Sequence, residues 1–374
     1  MGIWNNIFKK EIQEEERFIL SIDGGGIRGI IPAVVLSYLS SKINDNIPFY
    51  AHFDLIAGTS TGGIISLGLA LENAEIQKEK KEDFEYYKKV KKNIFKSENI
   101  FKGLIKPCAD PKLIEGIYLD HGKEIFAPRT RLLGSVFSDK YDSASLEFFY
   151  RTLFHDSKLK DALVPTMVVS YDSISGRECL LSSYGKYNET LVRDAARATS
   201  AAPLYFSPKI MFDEDGSKLA LLDGGLIANN PALFAYIEAK KLYPNAKKFT
   251  ILSLSTARNI YKFDPTGIFG GLSSWAEPVM KIYPNSQMVM TDDTLYSLPD
   301  CKYIRIFDEI SDEKIKLDDT KPETLQKLHE GGLKLVEKFS QELDNFALRL
   351  SERSDYDHVK LSSRLALEGP TNLS

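Results

Sequence analysis

Three short stretches of this chain hold residues whose types and spacing could do chemistry. Gly58-Thr59-Ser60-Thr61-Gly62 has the spacing G-x-S-x-G and stands between an apolar run and a helical one. A serine on a sharp strand-to-helix turn projects its hydroxyl above the sheet edge, and flanking glycines let the turn close without a Cβ clash. The helix N-terminus behind such a serine favours negative charge developing nearby. Ser60 is therefore a candidate nucleophile on a turn made by Gly58, Thr61 and Gly62; the plain alternative is a Gly/Ser helix cap.

A serine nucleophile needs a base, usually histidine. The chain has five histidines, His52, His121, His155, His329 and His358. The chain order serine, acid, histidine would require His329 or His358. His329 reads as an ordinary helix position and His358 as part of a polar, loop-like segment, while His52 precedes the second strand and falls at its wrong end. Structural roles are expected for all five. The base is better sought at Asp223, in "LALLDGGLIANNPAL", where an apolar run delivers a carboxylate to a Gly-Gly turn. A partly desolvated carboxylate has its pKa raised toward the range in which it can take a serine proton. The competing reading is a common Asp-Gly turn.

Acyl transfer also needs donors for the tetrahedral oxyanion, each worth about 3 kcal/mol. "DGGGIRG" at residues 23–29 offers successive amides at Gly24, Gly25, Gly26 and Ile27, a backbone nest ahead of a helix. Arg28 adds a positive charge suited to a substrate phosphate or to positioning the loop; an ordinary ion pair is the alternative. The same glycines satisfy G-x-G-x-x-G, the dinucleotide-binding spacing. That use predicts an acidic residue at the end of the second strand, where "AGTSTGG" stands instead.

These residues must be held by an alternation of strands and helices. "RFILSI" at 17–22 and "FDLIA" at 53–57 read as buried strands, each followed by a glycine turn and a helical run, 30–43 and 64–73. That order is the signature of a parallel α/β sheet, with its crevice at the carboxyl ends of the strands. Further strands are expected at 165–171, 177–182 and 248–254, and helices at 190–200, 231–242 and 322–351. The expected partition is a segment 1–16, an α/β core 17–255, and a partly helical C-terminal appendage 256–374 packed on the core.

Together "DGGGIRG", "GTSTG" and "DGG", with "ARATSAAPLYF" at 196–206, resemble the patatin-like phospholipase family in order and spacing. The resemblance covers residues 17–255. It implies a three-layer α/β/α fold with a mainly parallel central sheet, Ser60 as nucleophile, Asp223 as base in a two-residue dyad, and an oxyanion hole in the Gly24–Gly26 segment. It also implies hydrolysis of phospholipid acyl esters, of the phospholipase A type, with no metal or other required cofactor. In length and overall look the chain is similar to the phospholipase effectors of cyclic-nucleotide-based antiphage (CBASS) systems. That likeness implies a cyclic dinucleotide as activator and antiviral defence as the setting. A general esterase with a housekeeping role in lipid turnover is the alternative.

Composition bounds these readings. The 374 residues are 43% hydrophobic and 27% charged, with a net charge of −4, the balance of a globular chain with no electrostatic case for a nucleic-acid partner. Three scattered cysteines, Cys108, Cys179 and Cys301, form neither a disulfide framework nor a zinc pattern. With no run long enough to span a bilayer, the expectation is a cytoplasmic protein that meets the inner membrane peripherally when active. Two stretches could make that contact. Tyr86–Lys106 carries seven lysines against one glutamate, and Ile3, Trp4, Ile7 and Phe8 stand beside Lys9 and Lys10. A solvated lysine face or a homo-oligomer contact explains both equally well.

Overall fold

Apolar runs of five to seven residues become strands of one sheet. The computed structural model describes residues 16–43, 47–71, 110–125, 143–257, 272–309 and 315–353. Strands β1 (Glu16–Ile22), β2 (Leu55–Thr59), β3 (Thr166–Asp172), β4 (Arg177–Ser182), β5 (Lys209–Phe212), β6 (Lys218–Asp223), β7 (Lys248–Leu254) and β8 (Cys301–Ile306) form an eight-stranded sheet in the order β5-β6-β3-β2-β1-β7-β8, with β4 attached to β3. From β3 through β2, β1 and β7 to β8 the pairing is parallel. The β4, β5 and β6 pairings are antiparallel.

Helices α1 (Ile30–Lys42), α2 (Thr61–Ala70), α3 (Pro111–Ile125), α4 (Ser143–Phe154), α5 (Val192–Thr199), α6 (Ala232–Leu242), α7 (Leu272–Ser297), α8 (Pro322–Lys338) and α9 (Ser340–Glu352) cover both faces. Side chains alternate across each strand. Leu20, Ile22, Ile56 and Leu252 pack with α1, α8 and α9, and Val168 and Leu181 with α4 and α5. Their neighbours Ile19, Leu55, Ala57, Met167, Val169 and Ile251 face the other way, onto Ala232, Ala235 and Ala239 of α6 and Leu295 of α7. Strands buried on both faces are the reason the runs are continuously apolar. The result is a three-layer α/β/α arrangement.

The boundary expected at residue 255 falls between two neighbouring strands. β8 runs parallel to β7 from Phe249↔Cys301 to Leu254↔Ile306. Phe346 of α9 packs against Phe18 and Phe53, with ring centroids 5.9 and 6.4 Å apart. The C-terminal residues thus complete the sheet and its helical layer. The helical stretch 322–351 is two helices, broken at Phe339. Among the described residues no helix is long and apolar enough to cross a membrane.

One feature of the sheet positions the site. β4 occupies one edge of β3 along Met167–Asp172. The other edge is shared end to end: β2 pairs with it up to Thr59↔Val169, and β6 takes over at Ser170↔Asp223. The end of antiparallel β6 therefore arrives where parallel β2 stops. Asp223 is delivered beside Ser60.

Candidate active site

Ser60 joins β2 to α2 with φ 53° and ψ −122°, a region that residues other than glycine seldom occupy and that costs about 1–3 kcal/mol. The turn tolerates no bulk. A Cβ on Gly58 would lie 2.2 Å from the Gly62 carbonyl oxygen, and one on Gly62 2.2 Å from that of Ile22. Thr61 is buried, its hydroxyl bonded to that of Tyr118 on α3. The Ser60 hydroxyl does not cap α2; it donates to Asp223 Oδ2 at 2.7 Å.

Asp223 is buried at the end of β6. Burial pushes its carboxyl up to about 6, against smaller opposing effects of the Gly225 N–H, which donates to Oδ1 at 2.7 Å, and of the Ser60 hydroxyl. Among the described residues each carboxylate oxygen thus has one donor. A carboxyl held near 6 is largely ionised at neutral pH and still basic enough to accept a proton in a transition state.

Thr199, the last residue of α5, ties the two together. Its Oγ1 accepts the Ser60 N–H at 2.9 Å and donates to Val169 O at 2.5 Å, and its carbonyl accepts the Gly224 N–H at 3.3 Å. The next carbonyl but one, Ala201 O, accepts the Asp223 N–H at 3.0 Å. Thr199 lies within "ARATSAAPLYF", and nothing in that stretch of sequence assigns it a task. The signal lay in a hydroxyl residue at a helix C-terminus before a strained turn.

The glycine loop backs onto Ser60: a Cβ on Gly24 would lie 3.3 Å from Ser60 Cβ. Two of its four expected oxyanion donors are committed elsewhere. The Gly24 N–H donates to Asn229 O at 2.9 Å and the Ile27 N–H to Leu317 O at 2.8 Å. Among the described residues the N–H groups of Gly25 and Gly26 donate no hydrogen bond, and Gly26 turns the chain at φ +58°. Asn229 Nδ2 and Thr256 Oγ1 both donate to Gly24 O, at 3.2 and 2.6 Å, so the loop is held from two sides. Arg28 is half-buried and donates from Nε to Gly25 O at 3.3 Å. It forms no salt bridge among the described residues, and burial draws its pKa down to about 10, which leaves it charged at neutral pH.

Below the loop, Asp23 and Arg305 of β8 form a buried bidentate pair at 2.8 and 2.5 Å. Arg305 Nη1 also donates to Ser253 Oγ at 2.8 Å, and Nε lies 3.5 Å from Asp292 Oδ1. Asp292 in turn accepts from Asn230 Nδ2 and the Tyr303 hydroxyl. This network joins the glycine loop to the turn after Asp223 through residues that sequence reasoning had placed outside the core.

No described histidine bonds Ser60 or Asp223. His52 is buried at the amino end of β2, and His329 of α8 bonds Glu115 of α3 at 2.9 Å. His358, Cys108, Tyr86–Lys106 and Ile3–Lys10 lie outside the described residues, as does the side chain of His121. The described residues contain no group of three or more His, Cys, Asp or Glu arranged to hold a metal ion.

The family profile described as patatin-like phospholipase matches residues 20–236, a span that takes in all three motifs. Patatin-like protein 2 of Arabidopsis thaliana is 30% identical over 358 residues, covering 86% of this chain and 83% of the relative. Patatin-17 of Solanum cardiophyllum is 26% identical over 380 residues, covering 90% of each. VipD from Legionella pneumophila, a solved structure, aligns with 94% of this chain and 74% of its own at 12% identity and a TM-score of 0.34, too slight a likeness to add to the fold. The chain belongs to the patatin-like phospholipase family. It is accordingly a lipid acyl hydrolase, a carboxylic ester hydrolase.

Proposed function

We propose that the chain cleaves fatty acyl esters of membrane phospholipids, as a phospholipase of the A type, through a Ser60–Asp223 dyad and an acyl-enzyme. The observation that supports this reading most directly is the 2.7 Å hydrogen bond from Ser60 Oγ to the buried Asp223 carboxylate. As Oγ attacks the acyl carbonyl carbon, Asp223 takes the hydroxyl proton. The carbonyl oxygen becomes an oxyanion, for which the N–H groups of Gly25 and Gly26, which donate no hydrogen bond among the described residues, are suited as donors. Collapse breaks the ester C–O bond, and Asp223 returns the proton to the departing alkoxide, releasing the lysolipid. Water then attacks the acyl-enzyme, gives its proton to Asp223, and the fatty acid leaves as Ser60 is reprotonated. The Arg28 guanidinium suits the lipid phosphate by charge.

The test is mass spectrometry of fatty acids released from phosphatidylcholine and phosphatidylglycerol vesicles by purified protein. Wild type should release fatty acid, and Ser60→Ala should lose about a thousandfold or more of the rate. Undiminished release by Ser60→Ala would overturn the reading. Activation by a cyclic dinucleotide, and with it a role in antiphage defence, is a second arm of the same assay. Turnover only with the ligand present supports it, and turnover without it removes it.

A further inference from the structure

We propose that Leu204 is the lipid-docking contact at the mouth of this site, an apolar side chain held out to solvent so that it enters the surface of a lipid assembly and brings an acyl ester to Ser60. The proposal rests on the hydrolase reading above and adds where the enzyme meets its substrate surface. Leu204 lies in the turn between α5 and β5. It is 69% exposed, and its backbone adopts φ +72°. A bulky residue is strained in that region, whereas glycine or asparagine would occupy it with little or no penalty. The turn is nonetheless closed tightly, with the N–H groups of Tyr205 and Phe206 both donating to Ala202 O at 3.1 and 3.0 Å. Phe206 is buried, with the Arg197 guanidinium 5.6 Å from its ring centroid. The fold therefore fixes the turn from below and presents leucine, at a local energetic cost, where a turn-forming polar residue would satisfy the backbone better.

Position gives that exposure a use. Three residues before Leu204, Ala201 O holds the Asp223 N–H, and Thr199 holds the Ser60 N–H, so the tip is rigidly tied to the dyad. Arg28 is within electrostatic reach of Asp23 and of the neighbouring Tyr205, and its guanidinium forms no salt bridge among the described residues. An apolar tip and an available cation on one rim match the two halves of a phospholipid, acyl chain and phosphate. A purely polar ligand would use the cation and leave the apolar tip without a partner.

The experiment uses the full chain with Ser60→Ala, so that binding is read without turnover. It measures co-sedimentation with mixed phosphatidylcholine and phosphatidylglycerol vesicles. Adding Leu204→Gly is expected to weaken vesicle partition roughly tenfold, with a thermal midpoint no lower than the parent's. Adding Leu204→Met should keep partition within about twofold. Unchanged partition with Leu204→Gly, or a loss accompanied by a lower midpoint, would overturn the proposal. A Leu204-dependent change in oligomeric state without vesicles would also overturn it, by making the occupant a second copy of the chain. With Ser60 intact, Leu204→Gly should lower the ratio of vesicle turnover to turnover of a dispersed p-nitrophenyl ester roughly tenfold. An equal fall on both substrates assigns Leu204 to the integrity of the site instead. If wild type turns over neither ester, the hydrolase reading fails while the partition arm still decides the docking.

Discussion

Replacing Asp223 by asparagine should destroy activity and stabilise the protein, and the second effect depends on pH in a way set by the first. The carboxyl is buried at the end of β6 and held near 6 instead of 3.8. A native pKa above the unfolded value means that below about pH 3 both states are protonated and the shift costs folding nothing. Above about pH 6 the folded state must carry a charge that the unfolded chain carries more easily. A shift of about two units at 1.36 kcal/mol each makes the charged carboxylate destabilising by about 3 kcal/mol at about pH 8. The amide of Asp223→Asn keeps an oxygen for the Gly225 N–H and removes the charge. Its free energy of unfolding, from urea titrations at about pH 3 and about pH 8, should match wild type at the lower pH and exceed it by about 3 kcal/mol at the higher. Release of fatty acid should fall about a thousandfold or more, and wild-type kcat/KM should rise with pH and level off above about pH 6. A stability difference independent of pH, or a less stable variant at about pH 8, would refute the claim that desolvation dominates this carboxylate.

Two further substitutions test the supports of the site. Arg305→Met removes the guanidinium that bonds both carboxylate oxygens of buried Asp23 beneath the glycine loop, so stability should drop by about 3–5 kcal/mol in denaturant titration; a loss below about 1 kcal/mol would show that the pair does not anchor the loop. Thr199→Val removes the acceptor of the Ser60 N–H and should lower kcat at nearly constant KM, with about 1–3 kcal/mol of stability lost. Thr199→Ser, which keeps the hydroxyl, should recover most of both in the same steady-state assay.

What could be read from the sequence was what short-range chemistry determines. Gly58 and Gly62 around Ser60, and Gly224-Gly225 after Asp223, announce close backbone approaches within a few residues of themselves. The parallel strands announce themselves as runs apolar on both faces, and 248–254 matches β7 residue for residue; 177–182 matches antiparallel β4, whose exposed start is polar and whose end is buried. Illegible features depended on partners far along the chain. Whether Gly24 and Ile27 can donate to an oxyanion is decided by Asn229 and Leu317, which reach the loop from distant segments. β8 is short and partly polar, and its arginine is explained by Asp23, Ser253 and Asp292, which lie far from it in the chain or on other elements. α7 contains Pro278 and Pro284, signals that argue against the 26-residue helix they occupy.

The end-to-end sharing of one β3 edge by β2 and β6 bears on when this protein can act on a lipid. Ser60 and Asp223 are 163 positions apart, and their registry is set by a third strand that leaves the ribosome after the serine and before the aspartate. A slip of one residue in β6 would turn the carboxylate to the opposite face of the sheet. Until β6 has docked in the correct frame Ser60 has no carboxylate beside it, so neither a nascent chain nor a misregistered one carries the proposed dyad. Correct folding itself is the safety catch on a lipid-degrading activity.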